Sequence, residues 1–580
     1  MSILEKVNEP KDFKNFTISQ LTELADDVRA LIIDKVSKVG GHFGPNMAVV
    51  EMIVALHKVF NSPVDKFIWD VSHQSYPHKV LTGRKSGFTD GHFHDVTGFT
   101  SQAESAHDFF TIGHTSTSVA NAVGLAHARD LTGTKGNVIA IIGDGSLSGG
   151  LALEALNNAG DYTKNLIIIA NDNEMSIAEN HGGLYKSLAD LRNSNGTSTN
   201  NIFKAFNLDY RYLENGHDMA ALVALFEEVK DIDHPIVLHI HTEKGHGYTP
   251  SLDNKIAWHW HSPFDKATGL SPTNTNDGEN FVKIVNDFMD EKLADGVPLV
   301  AINAAIPGIF NLKDFESRHP HNYVDVGIAE QYSITYGGAL AAGGARPIIF
   351  HNSTFLQRAY DQLWHDLAIN NEPAIVIVKG NKIDGSDVTH QGDFGLGMIT
   401  NIPNLVTLAP TSSEELLAML AWGISQTDQP VIIFMPEHGV VHRLSKLKTF
   451  EKPVYDVVKT GEKVAILGLG GLFSHAEKAV LELEKSGISA TLVNPLFAGD
   501  LDKVTLTELA STHDLIVTIE DGVLAGGFGE KVSAFLGKSD VKVLNFGADK
   551  EFNDSVPLDT LYERYHLTIE LLVADILASL

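Results

Sequence analysis

Short uninterrupted apolar runs recur along this chain. Each is followed by a turn rich in Gly, Asn or Asp and then by apolar positions at helical spacing. The clearest case is Val138–Ile142, a run short enough for a buried strand, which stops at Gly143-Asp144-Gly145-Ser146. Leu151, Leu153, Ala155, Leu156 and Ala159 then predict a helix over Gly149–Gly160, and Leu166–Ala170 predicts a second strand ending at Asn171-Asp172-Asn173. The unit is strand-helix-strand, with oxygen-bearing side chains at both strand tips. Adjacent tips of an open parallel sheet form the crevice where ligands bind. Asp144 and Asn173 are therefore candidates to share one hard cation, such as magnesium bridging to phosphates. Either triplet alone is also ordinary turn and cap chemistry.

The same alternation runs through the rest of the chain. Residues 1 to about 40 read as helix, with Leu21, Leu24, Val28, Leu31, Ile32 and Val36 on one face; this face runs into the loop Gly40-Gly41-His42-Phe43-Gly44-Pro45, and helix resumes over Met47–Val59. His42, His73 and His114 each sit on a short loop, where neutral imidazoles can bond phosphate oxygens or move protons near pH 7. A lone loop histidine is otherwise only a polar surface residue. Glu179 to Asn200 is polar and reads as a mobile loop. His259 and His261, two apart in AWHWHSPFD, have the spacing of a metal clamp on a strand, but no third ligand lies near in sequence. The polar stretch 273–278 reads as an interdomain linker. Beyond it, NYVDVG, RPIIF and PAIVIV read as strands of a second α/β segment, and KVAILGLGG, ISATLVN and LIVTIED as strands of a third. Gly468-Leu469-Gly470-Gly471 lacks the full G-x-G-x-x-G frame of a dinucleotide site. The fold class expected is α/β, with mostly parallel sheets flanked by helices. Three domains are expected, at 1–272, 280–445 and 455–580.

Composition narrows the chemistry. The 580 residues are enough for three or four domains, and no cysteine is present, which excludes disulfides, zinc-thiolate sites and thiol nucleophiles. A net charge of −29 argues against a general nucleic-acid or anionic-membrane surface. No apolar run approaches the roughly 18 residues of a membrane span, so a cytoplasmic protein is expected.

Several stretches resemble a known family. The paired tips at Asp144 and Asn173 are similar to the thiamine diphosphate signature of transketolases. GGHFGPN, WDVSHQSYPHKVLTGR, GHTSTSVANAVGLA, DVGIAEQ and STFLQRAYDQL resemble the 1-deoxy-D-xylulose-5-phosphate synthase family, a branch of that group. The resemblance implies thiamine diphosphate and Mg2+ as cofactors, with the metal on Asp144, Asn173 and the Met175 carbonyl. It implies cofactor contacts from His73, His114, Gly143, Gly145, Ser146, Glu330 and Phe355. Glu330 would bond the aminopyrimidine ring and promote its imino tautomer, and Phe355 would stack on that ring. His42, His73, His259 and His390 would handle protons, while His42, Arg358, Lys379 and His390 would hold substrate. It further implies pyruvate and an aldehyde as substrates, glyceraldehyde 3-phosphate being the family's acceptor, a place in isoprenoid and thiamine biosynthesis, and a homodimer with the cofactor between two domains.

The departures from the family pattern cluster where the acceptor's phosphate is expected. Asn352 replaces a tyrosine, Lys379 and Glu437 replace arginines, Ser386 replaces an aspartate, Tyr332 a histidine and Leu496 an arginine. The loop near 180–200 is shorter by about forty residues. A carboxylate in place of a guanidinium reverses the sign of the interaction with a phosphate. Three readings stay open: a synthase using the family's acceptor, a carboligase taking another aldehyde, and a silent paralogue that binds without catalysing.

Overall fold

Isoleucine and valine decide the centre of the first unit. Its strands are β1 (Gly41–His42), β2 (Lys66–Trp69), β3 (Val138–Gly143), β4 (Leu166–Asp172), β5 (Asp209–Leu213), β6 (Pro235–His241) and β7 (Trp260–His261). Five of them form a parallel sheet in the order β2-β3-β4-β6-β5, and β1 pairs antiparallel with β7. Successive side chains leave a strand on opposite faces. Ile68, Ala140, Ile142, Ile168 and Ala170 pack with residues of the helices Ser118–Thr132 and Gly150–Ala159. Phe67, Trp69, Ile139, Ile141, Ile167 and Ile169 pack with the helices Ile18–Val39, Val50–Val59 and Met219–Val229. A strand covered on both faces must be apolar throughout, which is why β3 and β4 read as unbroken runs.

The computed structural model describes residues 2–272, 278–437 and 439–580. The chain forms two compact units, Met1–Asn276 and Asp277–Leu580. The expected linker 273–278 lies, except for Gly278, outside the described residues. The second unit holds two sheets. Strands β8 (Leu299–Asn303), β9 (Tyr323–Asp325), β10 (Arg346–Asn352), β11 (Ile375–Lys379), β12 (Val406–Leu408) and β13 (Val431–Phe434) are all parallel, in the order β12-β13-β11-β10-β8-β9. Strands β14 (Asp456–Lys459), β15 (Lys463–Gly468), β16 (Thr491–Asn494), β17 (His513–Val523) and β18 (Lys542–Ala548) follow the order β14-β16-β15-β17-β18, with β14 antiparallel to its neighbour. One apolar cluster runs from Ile302 and Ile349 to Leu467 and Ile516, so the two sheets share a core.

Two expectations need correction. The first forty residues are not one helix: Ile3–Lys6 and Pro10–Phe13 are single 3-10 turns, and the long helix begins at Ile18. Pro10 has no N–H to give, and Thr17 with Gln20 forms a reciprocal capping box that starts the helix there. The stretch 179–200 is not simply a loop, because Gly183–Asn193 is helical and buries Ser187, Leu188 and Leu191. Leu184, Leu188 and Leu191 recur at helical spacing, a signal masked by the glycine pair before them and the Asn/Ser/Thr run after.

Beneath the helix Val50–Val59 lies a buried polar chain. Arg84 grips Asp108 through both guanidinium nitrogens, at 2.7 and 3.0 Å, and His78 Nε2 donates to Asp108 Oδ1 at 3.1 Å. His78 Nδ1 is then left to accept from His57 Nε2, 2.9 Å away. Burial pushes His57 well below the usual histidine range, helped by the charges of its neighbours; it brings His78 to about 4 despite Asp108. Both rings are thus neutral when folded and protonate more readily when unfolded. Their contribution to stability is complete above pH 6.5 and is lost as pH falls below it. Each should cost roughly 1.4 kcal/mol by pH 5.5. The urea midpoint should therefore fall between pH 7.5 and 5.5. In His57→Gln, which keeps a donor but cannot protonate, that fall should be visibly smaller.

Candidate active site

The helix Ile18–Val39 ends at Gly40, whose φ of +77° suits glycine and turns the chain into β1. Pairing of β1 with β7 sets His42 opposite Trp260 and brings His259 alongside. The rings of His42, His73 and His259 form one cluster, with centroids 5.1 Å (42 to 73), 5.9 Å (42 to 259) and 5.2 Å (73 to 259) apart. His261 points elsewhere and stacks on Trp258 at 3.9 Å, so the His-x-His pair does not act together. Burial, with the nearby charges of Lys244, His73 and His42, pushes His259 well below the usual range; its Nδ1 is buried without a hydrogen-bond partner. That ring is neutral at pH 7 and free to bond a ligand. Asn46 holds the cluster: its amide donates to the carbonyls of His42 (2.8 Å) and His73 (2.7 Å), and its oxygen accepts from the Tyr76 N–H (2.9 Å).

Acids stand at the C-terminal ends of three adjacent strands. Asp70, after β2, accepts from the N–H groups of Ser116 (2.7 Å) and Ser118 (3.0 Å), so it shapes the loop that carries His114, a half-buried residue. Val71 and Ser72 follow at φ +58° and +70°; for a β-branched residue this is a strained conformation. Asp172, at the end of β4, binds His239 Nε2 (2.8 Å) and Arg192 Nη1 (2.5 Å). Burial would raise it, but His239 and Arg192 hold it at about 2. Asp144, at the tip of β3, is buried, and among the described residues no cationic side chain is paired with it. Burial pushes its carboxyl well above the usual range, and the charge of Asp172 adds to this. Asn173 lies half-buried beside it, with Oδ1 accepting from the Met175 N–H at 3.2 Å. Gly143 ends β3, and Ser146 is buried, its carbonyl accepting from Ser116 Oγ at 2.8 Å. Gly145 is required for close approach, since a Cβ there would stand 2.7 Å from that of Ser176. A buried carboxylate with amide partners but no cationic one, among oxygen donors, fits a divalent cation.

Among the described residues, one further cluster of potential ligands is close enough to hold a metal: Glu51, His217 and His246, whose ligand atoms lie within 4.8 Å of one another. It is already satisfied. His217 Nδ1 bonds Glu51 at 3.1 Å, its Nε2 accepts from the Glu243 N–H at 2.9 Å, and Arg29 pairs with Glu51.

In the second unit, Glu330 is the first residue of the helix Glu330–Ala342 and is buried. Burial pushes its carboxyl up, opposed by Arg358, whose Nη1 is 3.7 Å away. Phe355, half-buried in the turn Ser353–Leu356, meets His390 edge-on at 5.7 Å. His390 Nδ1 bonds Asp387 at 2.8 Å. Asn352 and Lys379 are register partners at the ends of β10 and β11. Asn352 spends its oxygen as a cap, accepting from the Thr354 N–H at 3.1 Å. Glu437 accepts from the Gly380 N–H at 2.6 Å and, with Asp521 and Asn381, lines a small cavity of about 30 Å³. Asp521 is pushed up to about 7, first by burial and then by Glu437 and Asp393, against Lys382.

Asn46, Asp70, Asp172 and the buried Lys244 were not singled out from sequence. Asp70 and Asp172 carried the same signal as Asp144, an acid closing an apolar run. Asn46 and Lys244 had no such signal, because their partners are backbone carbonyls of segments remote in sequence.

The comparisons with known proteins agree with this architecture. Residues 4–201 and 194–242 match the model of 1-deoxy-D-xylulose-5-phosphate synthase, 279–440 that of the transketolase pyrimidine-binding domain, and 455–571 that of the transketolase C-terminal domain. The protein is thus of the transketolase-like class. A 1-deoxy-D-xylulose-5-phosphate synthase of Clostridium acetobutylicum is 37% identical over 98% of this chain and 98% of its own. One from Desulfitobacterium hafniense is 36% identical over 98% and 96%, and one from Geobacter sulfurreducens 35% over 96% and 94%. A solved chain titled split gene transketolase, inactive beta4 tetramer, covers 52% of this chain at 23% identity and TM-score 0.45. The chain belongs to the 1-deoxy-D-xylulose-5-phosphate synthase family, whose members are transferases. Among the described residues no helix is long and apolar enough to cross a membrane.

Asn46→Ala leaves the His42 and His73 carbonyls without a donor. It should lower the unfolding free energy by about 2 kcal/mol in a denaturant titration.

Proposed function

We propose that this protein is a thiamine diphosphate- and magnesium-dependent transferase that decarboxylates pyruvate and joins the two-carbon unit to an aldehyde, glyceraldehyde 3-phosphate being the family's acceptor. The observation that carries the reading is the buried Asp144, paired with no cationic side chain among the described residues, at a strand tip beside Asn173, in a chain that also holds a buried Glu330 whose carboxyl is pushed up by burial. When bound, thiamine diphosphate supplies the electron sink for decarboxylation and transfer. Asp144, Asn173 and the Met175 carbonyl would hold the cation, and Gly143, Gly145, Ser146, His73 and His114 the diphosphate. Glu330, its carboxyl pushed up by burial, would bond a ring nitrogen, and Phe355 would offer that ring an apolar face. His42, His73 and His259 have the clustered, partly desolvated imidazoles needed to bond substrate oxygens and move protons; His390, oriented by Asp387, serves the second unit. We take the domains as 1–272, 280–445 and 455–580, and the setting as cytoplasmic, within isoprenoid or thiamine biosynthesis.

A different acceptor is favoured by one specific observation. At the ends of β11 and β13, where the family pattern expects arginines, Glu437 is fixed by Gly380, and the charges of Glu437 and Asp393 act on Asp521, against that of Lys382. Such a wall disfavours a phosphate and suits hydroxyls.

A homodimer is supported by an aromatic face on the second unit. Tyr332 is 56% exposed and stacks with Tyr336 at 5.4 Å; Trp364 and Ile369 are 43% and 53% exposed. Exposed aromatic clusters mark association surfaces. Tyr332→Glu combined with Trp364→Glu should shift the protein toward monomer in sedimentation.

Carbon dioxide release from pyruvate, with magnesium and thiamine diphosphate, tests the reaction against a panel of aldehydes. Dependence on glyceraldehyde 3-phosphate supports the first reading, preference for a neutral aldehyde the second, and no release with any acceptor refutes both. Glu330→Gln should lose at least a hundredfold in turnover while its melting temperature stays near wild type.

A further inference from the structure

The turn after β2 carries a hydrogen-bonded side-chain amide that the proposed chemistry does not use. Val71 and Ser72 are left-handed, so the chain folds back and Gln74 returns to the end of its own strand. Its Nε2 donates to the Asp70 carbonyl at 3.0 Å, and its Oε1 stands 2.9 Å from His73 Nδ1. The turn is tied from other segments too. The Ser72 hydroxyl donates to the Ile112 carbonyl at 2.7 Å and accepts from the Thr100 N–H at 2.8 Å, while Asn46 holds the His73 carbonyl. Gln74 is buried, and the half-buried His73 ring stands against the rings of His42 and His259.

We propose that Gln74 is a positioning residue that holds His73 in its Nδ1–H form, so that His73 meets a ligand with Nε2 as a proton acceptor. A backbone carbonyl can only accept, so Gln74 must turn its NH2 toward Asp70 and its oxygen toward His73. An amide oxygen also only accepts, so Nδ1 carries the hydrogen. A neutral imidazole has one N–H, and Nε2 therefore holds the lone pair. A hydroxyl can donate to that nitrogen directly. An anionic oxygen can bond it only after Nε2 has taken up a proton. In a transfer the proton leaves a hydroxyl for Nε2, the oxygen keeps the bonding pair, and the ring becomes an imidazolium whose Nδ1–H still rests on Gln74; the proton returns by the same path. The other tautomer would turn an N–H toward the donor and could take no proton there. The form of the ring stands on geometry alone, and its use on a substrate rests on the function proposed above.

Neutron diffraction from a deuterium-exchanged, ligand-free crystal of the full-length protein at about pH 8, above the ordinary histidine range, reads the ring directly. Deuterium is expected on Nδ1 of His73 and not on Nε2; deuterium on Nε2 alone overturns the proposal. Turnover supplies a second arm. Gln74→Met, which keeps the length but has no strong hydrogen-bonding group to fix the ring, should lose about 100-fold in kcat with the KM for pyruvate near wild type. Gln74→Glu, which keeps an acceptor for the Nδ1 hydrogen, should recover about tenfold of that loss. Equal losses in the two variants, or none in either, would show that Gln74 only fills space, and the positioning role is overturned. Titration calorimetry with magnesium plus thiamine diphosphate separates this inference from the thiamine reading. Deuterium on Nδ1 without binding heat supports the assigned form of the ring while the thiamine reading falls.

Discussion

A parallel sheet covered on both faces has only its ends free for chemistry, and in the first unit those ends carry three acids in a row. Asp70, Asp144 and Asp172 close β2, β3 and β4, side by side and buried. Charges cannot be placed so close in a low-dielectric interior without compensation. Asp70 is answered by two backbone N–H groups and Asp172 by a histidine and an arginine. Asp144 accepts an amide from Asn180 and the N–H groups of Gly145 and Asn173, but among the described residues no cationic side chain is paired with it. Among the described residues only Asp172 of the three is paired with a cationic side chain and a histidine, which leaves the charge of Asp144 for a ligand to answer.

The same economy appears around the histidines. Three imidazoles within 6 Å of one another would repel if protonated, and burial keeps His259 neutral. Asn46 gives both amide donors to backbone carbonyls and accepts from a backbone N–H, so the rings are placed by an amide that itself does no chemistry. In the second unit Glu330 follows the opposite rule to Asp172. Its guanidinium neighbour, 3.7 Å off, does not overcome burial, and the carboxyl is pushed up rather than down.

The second unit also separates structural from functional departures from the family pattern. Asn352 is explained by the cap it makes, and Tyr332 by an exposed aromatic face. Leu496 is buried at φ +61°, a conformation for which the structure offers no account. Glu437 is different, because its carboxylate is fixed by a backbone N–H and faces a cavity, so its charge acts on whatever enters there.

The strands, their parallel arrangement and the two oxygen-bearing tips at Asp144 and Asn173 were legible in the chain itself, since burial on both faces writes an unbroken apolar run and a turn must follow it. The family was legible from motifs that each span a few consecutive residues. What only the tertiary structure decided are the contacts between segments far apart in sequence: Asn46 with His73, Lys244 with Ser176, Arg192 with Asp172 and Asn180 with Asp144. Local periodicity records which face of an element is buried. It holds no record of which remote carbonyl or carboxylate a polar side chain will meet, because that depends on how the strands are ordered in the sheet. For the same reason the helix Gly183–Asn193 was hidden between its polar flanks until the face it covers was known.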